Sequence, residues 1–119
     1  MNIKQVTKPA VTVTVDKASD IYLDITVGNA QIGGSTVKFV NNTTLLGKGT
    51  INNLNLGLGQ SLVGQTIEVI TNVLDVNTVT NGIVITHYFH NGTPAMFPYN
   101  DTVDADGDIY SLTTQYSFV

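Results

Sequence analysis

Apolar residues return at every second position along much of this chain. Val11, Val13 and Val15 alternate with Thr12 and Thr14, and Ile21, Leu23, Ile25 and Val27 alternate with Tyr22, Asp24 and Thr26. A two-residue period sends successive side chains to opposite faces of a strand, so each segment offers one face to a core and one to water. The pattern predicts strands over residues 10–15, 21–27 and 36–40. Residues 1–8 lie outside the alternation and read as a polar lead. Gly28-Asn29, Gly33-Gly34 and Asn41-Asn42 read as breaks, because Gly and Asn tolerate turn geometry and Asn bonds to its own backbone.

Residues 43–59 are rich in Gly and Asn, and the apolar phase slips between Ile51 and Leu54; a bulge near Asn52-Asn53 would return both to the core face. Residues 66–76 form the longest strand candidate and are apolar on both faces, with Ile67, Val69 and Val73 on one and Ile70, Leu74 and Val76 on the other. Asn81-Gly82 then signals a hairpin into a strand over residues 83–89. Pro94 and Pro98 limit residues 93–99 to an edge strand. The last strand, residues 109–119, places Tyr110, Leu112, Thr114, Tyr116 and Phe118 on one face.

Short strands punctuated by Gly and Asn, with no helical period between them, predict an all-β fold. The expected architecture is an antiparallel β-sandwich of about seven to eight strands, forming a single domain over residues 1–119. Immunoglobulin-like connections are one arrangement of it, in architecture only because there is no Cys-Trp-Cys pattern, and a small β-barrel is the alternative.

Composition reinforces the strand reading and narrows the functions. There is no Arg, one Glu and five Lys, and charged residues make up 12% of the 119 residues, against about 25% in ordinary soluble proteins. Lys and Glu are the side chains that keep sheet edges from pairing with other chains. Their scarcity points to contact with a protein partner or identical subunits, hence a homo-oligomer. The net charge of −4 comes with lysines scattered singly, which disfavours nucleic acid. Without Cys there are no disulfides, thiolate nucleophiles or zinc-thiolate sites. No apolar run reaches the ~20 residues of a transmembrane helix. Residues 1–8 lack the apolar middle of a signal peptide. A cell-surface or virion location is compatible with an assembled protein, and the compartment stays open.

The only acidic cluster is the stretch 101–108, where Asp104, Asp106 and Asp108 alternate around Gly107 as oxygen ligands for calcium would. Aligned on Gly107, an EF-hand loop requires Asp at Thr102 and Glu at Thr113. Those ligands are missing, so a turn with solvated carboxylates is the expectation. Calcium is the one cofactor the sequence offers a place for. His87 and His90 fall on opposite faces of their strand and do not converge. There is no Gly-x-Ser-x-Gly elbow and no Ser-x-x-Lys sequence. Together these features predict a non-enzymatic structural or protein-interaction domain acting through β-rich surfaces. It would be an assembly subunit, as in a surface filament or virus particle, or a partner-binding inhibitor. The alternative is a small carbohydrate-binding module, calcium-assisted at the acidic loop.

Overall fold

The computed structural model describes every residue from Met1 to Val119. The elements in chain order are β1 (Ile3–Thr7), β2 (Val11–Val15), β3 (Asp20–Val27), β4 (Ile32–Phe39), β5 (Leu45–Gly49), β6 (Leu54–Leu58), the single helical turn α1 (Gly59–Leu62), β7 (Thr66–Leu74), β8 (Gly82–His90), β9 (Gly92–Thr93), β10 (Met96–Thr102) and β11 (Ile109–Phe118). They form a sandwich of two sheets. One is ordered β5-β4-β7-β11-β2-β9, with β1 also paired to β11; the other is β10-β8-β3-β6. The sheets do not close into a barrel. The placement of β7 between β4 and β11, and of β8 between β10 and β3, does not assign the sandwich to the immunoglobulin class. The molecule measures 45 × 24 × 22 Å. The ten residues of β11 span roughly 33 Å, so the strands run along the long axis and the loops gather at two ends.

Alternation is realised as the sequence predicts in β2, β3, β8 and β11. Val13, Val15, Ile21, Leu23, Ile83, Ile85, Phe89, Tyr110, Leu112, Tyr116 and Phe118 are all buried between the sheets. Pro98 sits in β10, an edge strand, where its missing N–H breaks no ladder.

Several expectations are corrected. Residues 1–8 are not a lead outside the core: β1 runs parallel to β11, pairing Ile3 with Ile109 and Val6 with Leu112, and Val6 packs on the core. Pro9 interrupts the edge, and β2 resumes it, again parallel to β11, from Val11 opposite Tyr116. The larger sheet is therefore mixed rather than purely antiparallel. Gly33 and Gly34 lie inside β4 instead of breaking it. A Cβ on Gly33 would come within 2.8 Å of Val27 Cγ2 and 3.1 Å of the Asn72 carbonyl oxygen. The bulge falls at Leu56, where β3 shifts register against β6, while Asn53 takes a left-handed turn conformation, φ 51°.

The expected hairpin between residues 66–76 and 83–89 does not exist. β7 and β8 belong to opposite sheets, and the connection crosses the core. An Asn-Gly hairpin of two residues needs positive φ at its centre, and neither Asn81 nor Gly82 has it. Gln31 pins the crossover: its amide nitrogen donates to Asp75 Oδ1 at 2.6 Å, and its carbonyl oxygen accepts from the Val76 and Asn77 N–H groups. Nor is β7 buried on both faces. Ile67, Val69, Thr71 and Val73 point inward and are fully buried, whereas Leu74 remains exposed on the other side.

The core has a polar waist. In β7 Thr71 separates Val69 from Val73, in β8 His87 separates Phe89 from Ile85, and in β11 Thr114 separates Tyr116 from Leu112. The apolar residues fall accordingly into a larger and a smaller cluster, one on each side of the waist.

At the first residue of α1 the chain passes very close to the β2–β3 turn. Gly59 donates its N–H to the Ser19 carbonyl, and a Cβ there would stand 2.0 Å from the Asp16 carbonyl oxygen. The obstacle is backbone and cannot rotate away. Gly59→Ala is expected to cost about 3 kcal/mol, the upper end of overpacking penalties. The check is a lower urea midpoint with an unchanged slope.

Candidate functional site

The acidic loop is occupied with holding the chain together. Asp108 is buried, and its two carboxylate oxygens accept from the backbone N–H groups of Asn2 at 2.9 Å and Ala105 at 3.1 Å. The Asn2 bond, more than any other cause, holds its carboxyl below the usual range. Asp104 and Asp106 are exposed. Asp106 shares a donor with Asp75, a residue far off in sequence. Asn81, with its amide nitrogen facing both, donates to Asp106 Oδ1 at 2.9 Å and Asp75 Oδ2 at 2.7 Å. No three His, Asp or Glu side chains gather at metal-holding distance. Nearby, Lys4 reaches from β1 to Asp101 Oδ1 at 2.9 Å. Its hydrogen bond is the chief reason that the Asp101 carboxyl lies below its usual range.

The two histidines point to opposite faces, as alternation requires. His87 is sealed in the waist: Nδ1 lies 2.6 Å from the Tyr116 hydroxyl and Nε2 lies 3.3 Å from Thr71 Oγ1. The chain of contacts continues from Thr71 to Ser35 Oγ, and from Tyr116 to the Tyr99 hydroxyl, both at 2.8 Å. Burial pushes the imidazole down to about 3, so it is neutral, and burial also raises both tyrosines. Five neutral polar groups thus bridge the two sheets. The hydroxyl beside the imidazole is that of Thr71, and both groups are fully buried, so the pair presents no face to a substrate.

His90 lies on the outer face of the smaller sheet, paired through Nε2 with Asp24. Desolvation raises the Asp24 carboxyl, but the Asn53 N–H, donating to Oδ1 at 2.6 Å, and the His90 contact outweigh it, and the net shift is downward. The antiparallel register sets Tyr88 beside Asp24 and Thr86 beside Thr26. With Thr50 and Asn52 from the β5–β6 loop, these residues line an open groove of about 570 Å³. The outward phases of β3 and β8 are readable in the sequence, but the register that pairs them and so assembles this group is not.

The outer face of the larger sheet differs. Ile32 is directly opposite Leu74, Leu74 opposite Ile109, and Ile109 opposite Ile3. These four side chains make one apolar row across four adjacent strands, with Ile32 62% and Ile3 57% exposed. Val76, Val79 and Met1, also exposed, lie in the segments next to it. The next row along the strands, Gly34, Asn72, Ser111 and Gln5, carries no charge.

Compared with protein-family models, curated proteins and solved structures, the chain matches none.

Two outcomes follow from this chemistry. An unfolded histidine titrates near 6.5 and His87 near 3, so between these values the unfolded chain binds the extra proton. The stability conferred by a neutral His87 is complete above about 6.5 and falls as pH drops toward 3, by about 1.4 kcal/mol per unit. Urea midpoints measured from pH 7 to 4 should fall steeply for the natural chain and only gently for His87→Phe. For the acidic loop, melting with calcium and with chelator should coincide; native-only binding at a hundred dissociation constants would add about 2.7 kcal/mol and shift the midpoint visibly.

Proposed function

We propose that this chain is a non-enzymatic assembly subunit whose working surface is the outer face of the larger sheet, and that what it binds is a second copy of itself. The row Ile3-Ile109-Leu74-Ile32 carries the reading. At the usual strand spacing it is roughly 15 Å wide, and fully burying an Ile or Leu side chain is worth about 1.5–3 kcal/mol. Isologous pairing brings two such rows together.

Charge does not bar a like partner. A chain of net charge −4 repels its copies, and a contact is least costly where the surface is neutral. The row and its polar neighbours are uncharged, and Lys4, the lysine of β1, is turned aside to Asp101. β1 also keeps one edge unpaired, with Lys4 as its single charged side chain.

Sedimentation equilibrium over a wide concentration range tests the reading. The natural chain is expected to associate, and Ile32→Glu to remain monomeric with a melting temperature close to that of the natural chain, since the replaced side chain is mostly exposed. A natural chain that is monomeric throughout overturns self-assembly and leaves a different protein as the partner to be sought.

A further inference from the structure

The smaller sheet has its own working face, on the side of the molecule opposite the apolar row. We infer that the groove over β3 and β8 is a binding site for a neutral saccharide, with Tyr88 as the platform and Asp24, His90 and Asn52 as the polar edge. The inference stands apart from self-assembly, since it uses none of the same residues.

A sugar ring presents a C–H face and a rim of hydroxyls that both donate and accept. The groove offers the counterpart of each. Tyr88 is 37% exposed, and in the β10–β8 register Met96, 58% exposed, lies directly beside it, with Pro98 beside Thr86. These three make an apolar strip. Across it stand a carboxylate, an imidazole, an amide and the hydroxyls of Thr26, Thr50 and Thr86. An ionised carboxylate has about four acceptor positions, and Asp24 uses two, on the Asn53 N–H and on His90. The remainder can accept from adjacent hydroxyls of one ring.

The site is held in place before any ligand arrives. Asp24 is fixed from two sides, and the His90 ring packs edgewise on Tyr88 with centroids 4.5 Å apart. Preorganisation of this kind lowers the ordering cost of binding. The volume lies in the range of small-molecule sites. Charge selects the ligand class: the lining has one carboxylate, already paired with His90, and no lysine or arginine, so phosphates, sulfates and uronates meet a carboxylate and find no basic side chain free to receive them.

The test is a titration followed by backbone amide NMR, with cellohexaose, maltohexaose, hexa-N-acetylchitohexaose and mannohexaose as neutral probes and a heparin hexasaccharide as the anionic one. A neutral probe is expected to move the amides of residues 24–26, 50–52 and 86–90 with a dissociation constant of about 1 mM or tighter. Tyr88→Ala should weaken it at least tenfold, and Tyr88→Phe, which keeps the ring, by less than threefold. Thr113→Ala, on the other sheet, should leave binding unchanged and serves as the folding control. The inference is overturned if no neutral probe moves these amides, if the heparin hexasaccharide binds there more tightly than all of them, or if Tyr88→Ala binds as the natural chain does.

Discussion

The two sheets are held in register by a neutral imidazole at the centre of the core. His87 sits on β8 and touches Tyr116 of β11 and Thr71 of β7, so one side chain of the smaller sheet is bonded to the two central strands of the larger one. A buried polar group without partners costs one to several kcal/mol, and no buried side-chain nitrogen or oxygen here lacks one. The geometry is consequently intolerant. Because the side-chain period of a strand is two, a one-residue slip of β8 would turn His87 to water and bring Thr86 and Tyr88 inward. It would leave Tyr116 without the imidazole. Apolar alternation alone would accept many lateral shifts of one sheet over the other; the waist accepts one.

How much of this was legible in the sequence depends on what kind of information each feature needs. The inward face of β11 was complete from alternation alone, Thr114 included, and the edge character of β10 followed from Pro98. Opposite facing of His87 and His90 followed from their spacing by three. The crossover of β7 to β8 did not, because Asn81-Gly82 has the residues of a hairpin turn without its dihedrals, and the bond that decides the path comes from Gln31, more than forty residues away. Gly33 and Gly34 looked like punctuation, yet Gly33 is a strand residue where two neighbouring strands leave no space for a Cβ. Of the acidic loop the turn was legible; the attachment of Asp108 to Asn2, over a sequence separation of 106, was not.

The two outer faces show how one core can carry two different surfaces. Outside the polar waist, inward residues of β3, β4, β7, β8 and β11 obey the same apolar rule, but the outward set is free of it. In β3 and β8 that set includes Asp24, Tyr88 and His90, which hydrogen-bond or stack on one another. In β1, β4, β7 and β11 it includes Ile3, Ile32, Leu74 and Ile109, which do neither. A soluble monomer gains nothing by aligning four large aliphatic side chains in water, and natural sheets usually interrupt such rows with charge. Here the nearest outward neighbours are Gly, Asn, Ser and Gln, residues that permit close approach.

That row is assembled from residues 3, 32, 74 and 109, and β11 supplies its centre of connection. β11 bonds β7 along nine residue pairs on one side and β1 and β2 on the other, so the last strand of the chain joins the first two to the sheet. Contacts this distant in sequence form late, because loop closure must precede them. Before β11 docks, Ile3 and Leu74 have no fixed relation and the apolar row has no existence as a surface. Any association through it is therefore confined to the native state. Binding that recognises only the native state stabilises it by mass action, and a sparsely charged domain with a waist intolerant of slippage would gain stability from any partner held on this row.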